Sequence, residues 1–249
     1  MNKISVVVIT RNEEANIAEC LKSARWADEL IVVDDQSVDR TVEITRQFTD
    51  KVFIRRMENE GRHRNWAYQQ AAGGWILSLD ADERVSPALA EEIRTVLEKE
   101  EEYTGYAIPI RTYIGKRWIK YGGWYPAGKL RLFKRGEFRY EESEVHPRIF
   151  MEGKSRLLNS DIIHYGYRSL EHFFASLNAQ TTKEAEKWFR EKRKITFFTL
   201  CRKMIDRFLR RFLFKKGYRD GFMGIIIASA DSLYQFFSYA KYWEKRSKK

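Results

Sequence analysis

Residues 3–35, KISVVVITRNEEANIAECLKSARWADELIVVDD, read as strand, helix and strand in that order. Lys3–Thr10 is a β-branched run ending in polar residues, Asn16–Ser23 has helical spacing, and Glu29–Val33 is a second buried strand ending at Asp34-Asp35. The alternation continues outward. Thr41–Phe48 reads as a helix, Lys51–Arg55 as a short strand, Gly61–Ala72 as a helix, and Trp75–Leu79 as a strand that ends at Asp80. Pro87–Lys99 reads as a helix with Ser86 as its N-cap and Pro87 at its first position. Such a pattern implies a mostly parallel sheet with helices on both faces. Beyond residue 102, Tyr106–Tyr113, Leu130–Phe133 and Arg148–Met151 read as strands of a mixed sheet, and from Leu170 the chain turns helical.

Composition narrows the class. The 249 residues are 43% hydrophobic with 14 Gly and 4 Pro, which excludes collagen-like, mucin-like and wholly disordered chains. Two cysteines cannot build a disulfide framework, so a reducing compartment is the default expectation. The first apolar run is too short for a signal peptide. The longest later run, 221–230, is half of the roughly 20 residues a membrane span needs. The formal charge of +11 is unevenly placed. Residues 183–249 carry 19 Lys and Arg against 7 Asp and Glu, whereas residues 1–182 carry 27 against 28. A near-neutral domain is therefore followed by a basic appendage.

Three strand ends carry polar clusters: 10–13 (TRNE), 34–37 (DDQS) and 80–83 (DADE). Ligands of open α/β sheets bind at the carboxyl ends of the strands. A helix cap explains one such Asp, and Asp34 or Asp39 alone would be read so, but three clusters at one sheet edge point to a site. Asp80-x-Asp82 puts two carboxylates on one side of an extended segment. Mg²⁺ or Mn²⁺ takes one or two carboxylates together with the oxygens of a bound diphosphate. The P-loop and dinucleotide-binding fingerprints are missing from the sequence.

The ordered strings VVVITRNEEANIAECLKSARWADELIVVDDQSVDRT and GRHRNWAYQQAAGGWILSLDADERVS resemble the inverting family 2 glycosyltransferases of GT-A fold. With IRTYIGKRWIKYGGWYP, KLRLFKRGEFRY, EVHPRI and IIHYGYRSLEHFFASLNAQTTKEA, the likeness spans roughly residues 1–185 and is strongest to lipopolysaccharide core glucosyltransferases. The resemblance implies a Rossmann-like mixed sheet flanked by helices, in a catalytic domain over 1–182. Its nucleotide-binding half would be 1–102 and its acceptor half 103–182. It further implies that Thr10, Arg11 and Glu13 line the nucleotide pocket, with Asp35 at the uracil or ribose end and Arg64 and Asn65 near the diphosphate. Asp80 would contact ribose or the metal shell, and Asp82 would bind Mg²⁺ or Mn²⁺ directly. His164 is a candidate to complete that shell as a neutral imidazole.

An inverting transfer needs a general base for the acceptor hydroxyl. The resemblance puts it in 141–146 (EESEVH), with Glu144 the first choice and Glu142 the reserve. Where the family pattern carries His-Glu this chain has His146-Pro147, and where it carries Trp-Tyr-Pro-Asp this chain has Ala127. Both departures remove carboxylates. Trp118, Tyr121, Trp124 and Tyr125 crowd a Gly-interrupted stretch that reads as a sugar-facing loop.

Residues 195–216 separate by helical period into an apolar face with Phe197, Cys201, Met204, Ile205, Phe208, Leu209 and Phe212, and a mostly basic face with Arg202, Lys203, Asp206, Arg207, Arg210 and Arg211. This C-terminal amphipathic helical extension, 183–249, suits a peripheral membrane surface, and the same helices are available for homo-oligomer contacts. The expected activity is transfer of a hexose from a nucleotide-sugar donor, UDP-glucose favoured, to a glycolipid acceptor such as the lipopolysaccharide inner core. The expected place is the cytoplasmic face of the cytoplasmic membrane, with no nucleic acid as partner. Two other readings stand beside it: a nucleotidyltransferase, and a nucleic-acid-binding module working through the basic tail.

Overall fold

The structure is a computed structural model that describes residues 3–99, 102–142 and 148–248. It divides into two compact units, one formed by residues 1–110 and 127–164, the other by 111–126 and 165–249. The boundary expected near residue 182 falls inside a continuous helix, Leu170–Arg190. The observed division instead assigns that whole helix and the aromatic loop to the C-terminal unit.

The first unit contains β1 (Ile4–Thr10), α1 (Ile17–Ser23), β2 (Glu29–Asp34), α2 (Thr41–Thr45), β3 (Val52–Ile54), α3 (Glu60–Gln69), β4 (Trp75–Asp80), β5 (Glu83–Val85) and α4 (Pro87–Glu98). β6 (Tyr103–Ile114) follows, running into the second unit, where β7 (Arg117–Trp118) lies. The chain returns to the first unit for β8 (Gly128–Lys134), β9 (Phe138–Tyr140), β10 (Ile149–Met151), β11 (Lys154–Leu157) and the start of β12 (Ile162–Tyr167). The sheet order is β3-β2-β1-β4-β8-β6-β12-β5. β1, β2, β3 and β4 are parallel neighbours, whereas β8 is antiparallel to both β4 and β6, which makes the sheet mixed.

The central strands carry no polar alternation because both of their faces are covered. Val6, Val8, Val32, Leu77 and Leu79 pack in one cluster with Ile17 and Leu21 of α1 and Leu89 and Ile93 of α4. Val7, Ile31, Val33 and Ile76 pack in another with Ala67 and Tyr68 of α3. Each fully buried Val, Leu or Ile among them contributes about 1.5–3 kcal/mol of transfer free energy. Ser86 Oγ accepts a hydrogen bond from the Leu89 amide at 3.2 Å, so α4 starts at the cap and Pro87 that its sequence carries. β1 has β2 on one side and β4 on the other, and the crossover direction reverses there, which opens a crevice at the carboxyl ends of the strands.

In the second unit, α5 (Leu170–Arg190) and α7 (Phe222–Ser247) pack around Phe173, Ile227, Ala230, Trp188 and Tyr242. α6 (Phe197–Leu209) continues through a π-helical turn, Arg210–Phe214, and a 3₁₀ turn, Gly217–Asp220, into α7. No helix among the described residues is long and apolar enough to cross a membrane.

Candidate active site

Strand register gathers the three polar clusters. Thr10 is paired with Asp34, and Ile9 with Asp80, so the ends of β1, β2 and β4 lie side by side. Asp34 and Asp35 then part ways. Asp34 turns back on its own loop, accepting from the Ser37 amide at 2.7 Å and from the Ser37 hydroxyl. It acts as a turn cap. Asp35, 2% exposed, accepts from Arg11 Nη1 at 3.0 Å and from the Met57 amide at 2.7 Å. The Thr10 carbonyl accepts the Asp35 amide at 2.8 Å, and the buried Thr10 hydroxyl has no hydrogen-bond partner among the described residues. The Glu13 carboxylate accepts from Asn16 Nδ2 at 2.7 Å, at the start of α1. Asp39 accepts from the Glu14 and Thr41 amides, so it too serves its loop.

Asp80 is held in a buried ion cluster that the sequence reading did not assign. Arg64 Nη2 donates to its Oδ1 at 2.9 Å and Arg131 Nη2 to its Oδ2 at 2.8 Å; Arg131 Nη2 also donates to Glu83 Oε1 at 2.7 Å. Glu83 accepts the Asp80 amide with its other oxygen at 2.9 Å. Burial disfavours the Asp80 carboxylate, but the Arg64 and Arg131 guanidiniums outweigh it and hold Asp80 well below the usual carboxylate range. For Glu83 burial wins and raises it, despite Arg131. Arg131 stands out in LRLF, an apolar run on β8, and a charge at such a position needs carboxylate partners. That was the available signal.

Asp82, two residues on, meets His164: Nε2 lies 3.2 Å from Asp82 Oδ2, with both side chains about one-fifth exposed. The contact follows from topology, since the antiparallel pairing of β5 with β12 sets His164 opposite Glu83. Burial opposes protonation of His164, but the hydrogen bond and charge of Asp82, with Glu83 behind, raise its pKa. Among the described residues no three His, Cys, Asp or Glu side chains gather as a metal site. One carboxylate and one imidazole nevertheless suit a cation that takes its remaining ligands from a diphosphate and water.

The remaining expected residues lie on or near α3. Asn65 is used by the backbone: Nδ2 donates to the Tyr140 carbonyl at 2.9 Å and Oδ1 accepts the Tyr140 amide at 2.8 Å, docking β9 onto α3. Glu142 accepts from Arg62 Nε and Nη2 at 3.1 and 3.0 Å in an exposed pair. Glu144 and His146 lie outside the described residues. His63, on the same helix, is fully buried, with Arg55 Nη1 3.3 Å from its Nδ1.

A hydroxyl without a partner among the described residues, a buried Asp and a carboxylate–imidazole pair stand at the strand ends where ligands of open α/β sheets bind, an arrangement that suits a group-transfer enzyme. Residues 5–166 match the family model described as glycosyl transferase family 2, and the chain belongs to that family: it is a glycosyltransferase with a GT-A fold. It is 28% identical to the lipopolysaccharide core biosynthesis glycosyltransferase LpsC of Rhizobium meliloti, over 99% of this chain and 94% of the relative. It is 29% identical to an uncharacterized glycosyltransferase of Rickettsia typhi, over 97% of this chain and 87% of the other. Among solved structures, S. aureus TarS 1-349 in complex with UDP-GlcNAc aligns over 97% of this chain and 88% of that one, with 16% identity and a TM-score of 0.47.

Proposed function

We propose that the chain is an inverting, metal-dependent hexosyltransferase that takes its sugar from a UDP-linked donor, UDP-glucose favoured. The acceptor would be a membrane glycolipid such as the lipopolysaccharide inner core, reached from the cytoplasmic face of the cytoplasmic membrane. The observation that carries the reading is the Asp82–His164 pair beside the ion-paired Asp80, at the carboxyl end of β4 in a family 2 chain. The near full-length likeness to a lipopolysaccharide core enzyme supports the acceptor class.

Thr10 and Asp35 would hold the nucleoside, with Arg11 and Glu13 at the same rim. Arg64, Asn65 and Asp80 would form the floor under the diphosphate, Arg64 fixing Asp80 and Asn65 fixing β9. Asp82 and His164 would hold Mg²⁺ or Mn²⁺, which when bound neutralises charge on the leaving diphosphate. Transfer is one displacement: the acceptor oxygen bonds to the anomeric carbon from the face opposite the breaking bond to UDP. The acceptor proton passes to a carboxylate. Glu144 is the assigned base and Glu142, which pairs with Arg62, the reserve.

The basic 183–249 segment would hold the enzyme against an anionic leaflet, each Lys or Arg near the surface adding about 1 kcal/mol. The test is UDP release from a panel of UDP-sugars with Mn²⁺, using the wild-type chain and Asp82→Ala. Full activity in the variant removes the metal assignment. Release of pyrophosphate from a nucleoside triphosphate would replace the reading with nucleotidyl transfer.

A further inference from the structure

The turn between α6 and α7 presents apolar side chains outward and grips the aromatic loop with its inner side. Phe214 is 80% exposed, Phe222 74%, Tyr218 51% and Leu213 49%, and Lys215, Lys216 and Arg219 are exposed among them. On the inner side, the Lys215 carbonyl accepts the Gly122 amide at 2.9 Å and Arg211 Nη1 donates to the Gly122 carbonyl at 2.7 Å. Asp220 Oδ2 accepts the Tyr121 amide at 2.8 Å, and its carbonyl accepts from Arg117 Nη2 at 2.6 Å. The Arg219 guanidinium sits 4.7 Å from the Tyr121 ring centroid. Gly123 (φ +78°) lies under the Lys215 side chain, whose Cδ a Cβ there would meet at 2.4 Å. Both members of the fit are built: Arg211 is itself fixed at 3.2 Å by Asp231 of α7, and Gly224 packs so tightly on the Gly217 carbonyl that a Cβ would meet it at 1.9 Å.

Four exposed apolar side chains around one turn have no stabilising reason in water. Their setting selects a partner. Residues 205–222 carry six Lys and Arg against two Asp, and both Asp are engaged within the unit, Asp206 with Arg210 and Asp220 with the loop backbone. Arg210 pairs with Asp206, and Arg207 and Arg211 with Asp231, so the outward charge of the tip is that of the exposed Lys215, Lys216 and Arg219, interleaved with aromatic and aliphatic side chains, the composition of a surface seated in the headgroup layer of an anionic bilayer.

We propose that the α6–α7 turn is a lipid-docking tip for an anionic bilayer, and that through Arg211, Lys215 and Asp220 it fixes the 115–126 loop at the lipid surface. This rests on the glycolipid-acceptor reading above and adds to it the contact surface and the means of presenting the loop. Arg211 is a positioning residue, acting on sugar through Gly122 and not by touching it.

The experiment uses the full-length chain with vesicles of phosphatidylglycerol and phosphatidylethanolamine, and with vesicles of phosphatidylcholine alone. Wild type is expected to cosediment with the anionic vesicles and to be released by salt. Phe214→Ser with Phe222→Ser, both on exposed positions, is expected to weaken that binding on the order of 10- to 100-fold while leaving UDP-sugar hydrolysis unchanged. Gly123→Gln is expected to keep vesicle binding but to lower transfer to glycolipid relative to hydrolysis. Equal vesicle binding by wild type and the Phe double variant overturns the tip, as does a wild-type dimer that the double variant abolishes without any vesicle binding. Gly123→Gln with undiminished transfer overturns the coupling to the loop. Absence of UDP-sugar hydrolysis in every chain, with vesicle binding intact, sinks the catalytic reading and leaves the docking tip standing.

Discussion

His164 Nε2 lies 3.2 Å from Asp82 Oδ2, whereas Asp80, on the same Asp-x-Asp segment, has one guanidinium on each carboxylate oxygen. The two carboxylates therefore do different work. The charge of Asp80 is taken up inside the protein by Arg64 and Arg131, whereas Asp82 meets an imidazole, the side chain proposed above to share a cation with it. His164→Ala is expected to weaken Mn²⁺ binding in the presence of UDP on the order of 10- to 100-fold, with Asp82→Asn at least as severe. Isothermal titration with Mn²⁺ measures both. Unchanged affinity in His164→Ala would remove the histidine from the shell.

Arg131 is expected to matter first to stability. It is 4% exposed and bridges Asp80 and Glu83, so Arg131→Met leaves the buried Glu83 carboxylate without its cation and Asp80 with Arg64 alone. Breaking a buried pair from one side costs about 3–5 kcal/mol. Urea unfolding should show that loss, and adding Glu83→Gln to the variant should recover part of it. A double variant no more stable than Arg131→Met would mean that Glu83 is not the strained partner.

What the sequence made legible follows from where burial is two-sided. β1, β2 and β4 are apolar runs because helices cover both faces, and the polar clusters at their ends are local sequence features that need no long-range contact to be seen. β5 could not be read: ERV has three residues and no period, and it exists because Ile162–His164 pair with it. That pairing also brings His164 to Asp82, so a contact across 82 residues depended on a strand with no local signal. Arg131 was visible as a charge in an apolar strand, but its partners were not, because β4–β8 pairing is non-local. In the C-terminal unit the period of α6 was legible, while the grip of its turn on residues 117–123 was not, since glycine amides and carbonyls carry no side-chain pattern.

The two cysteines should behave differently. Cys20 is fully buried, and burial pushes its thiol far above the ordinary range, whereas Cys201 on α6 is only half-buried. The thiolate is the reactive form. Native protein treated with a disulfide-exchange reagent is expected to label at Cys201 and to leave Cys20 intact until denaturant is added. Rapid labelling of both in the native state would show that α1 opens readily from the sheet.

His63 should make stability depend on pH. Burial, followed by the Arg55 guanidinium, lowers its pKa, although Asp35 pulls the other way and Arg64 adds to the lowering. Arg55 Nη1 donates to Nδ1, which puts the proton of the neutral ring on Nε2. The unfolded ring titrates near pH 6.5, so below that pH the unfolded chain binds a proton that the folded one resists. The contribution of His63 is then complete above about pH 6.5 and is lost as pH falls toward its lower folded value. His164, raised by Asp82, runs oppositely: its contribution is complete below the unfolded value and is lost as pH rises through the folded one. The wild-type slope is the sum of the two, and a His63→Gln variant separates them. Its Tm deficit against wild type should be larger at about pH 7.5 than at about pH 5.5, because acid removes only the wild-type advantage. A deficit that is constant across this range would show that the ring has the same pKa folded and unfolded, and so overturn the lowering.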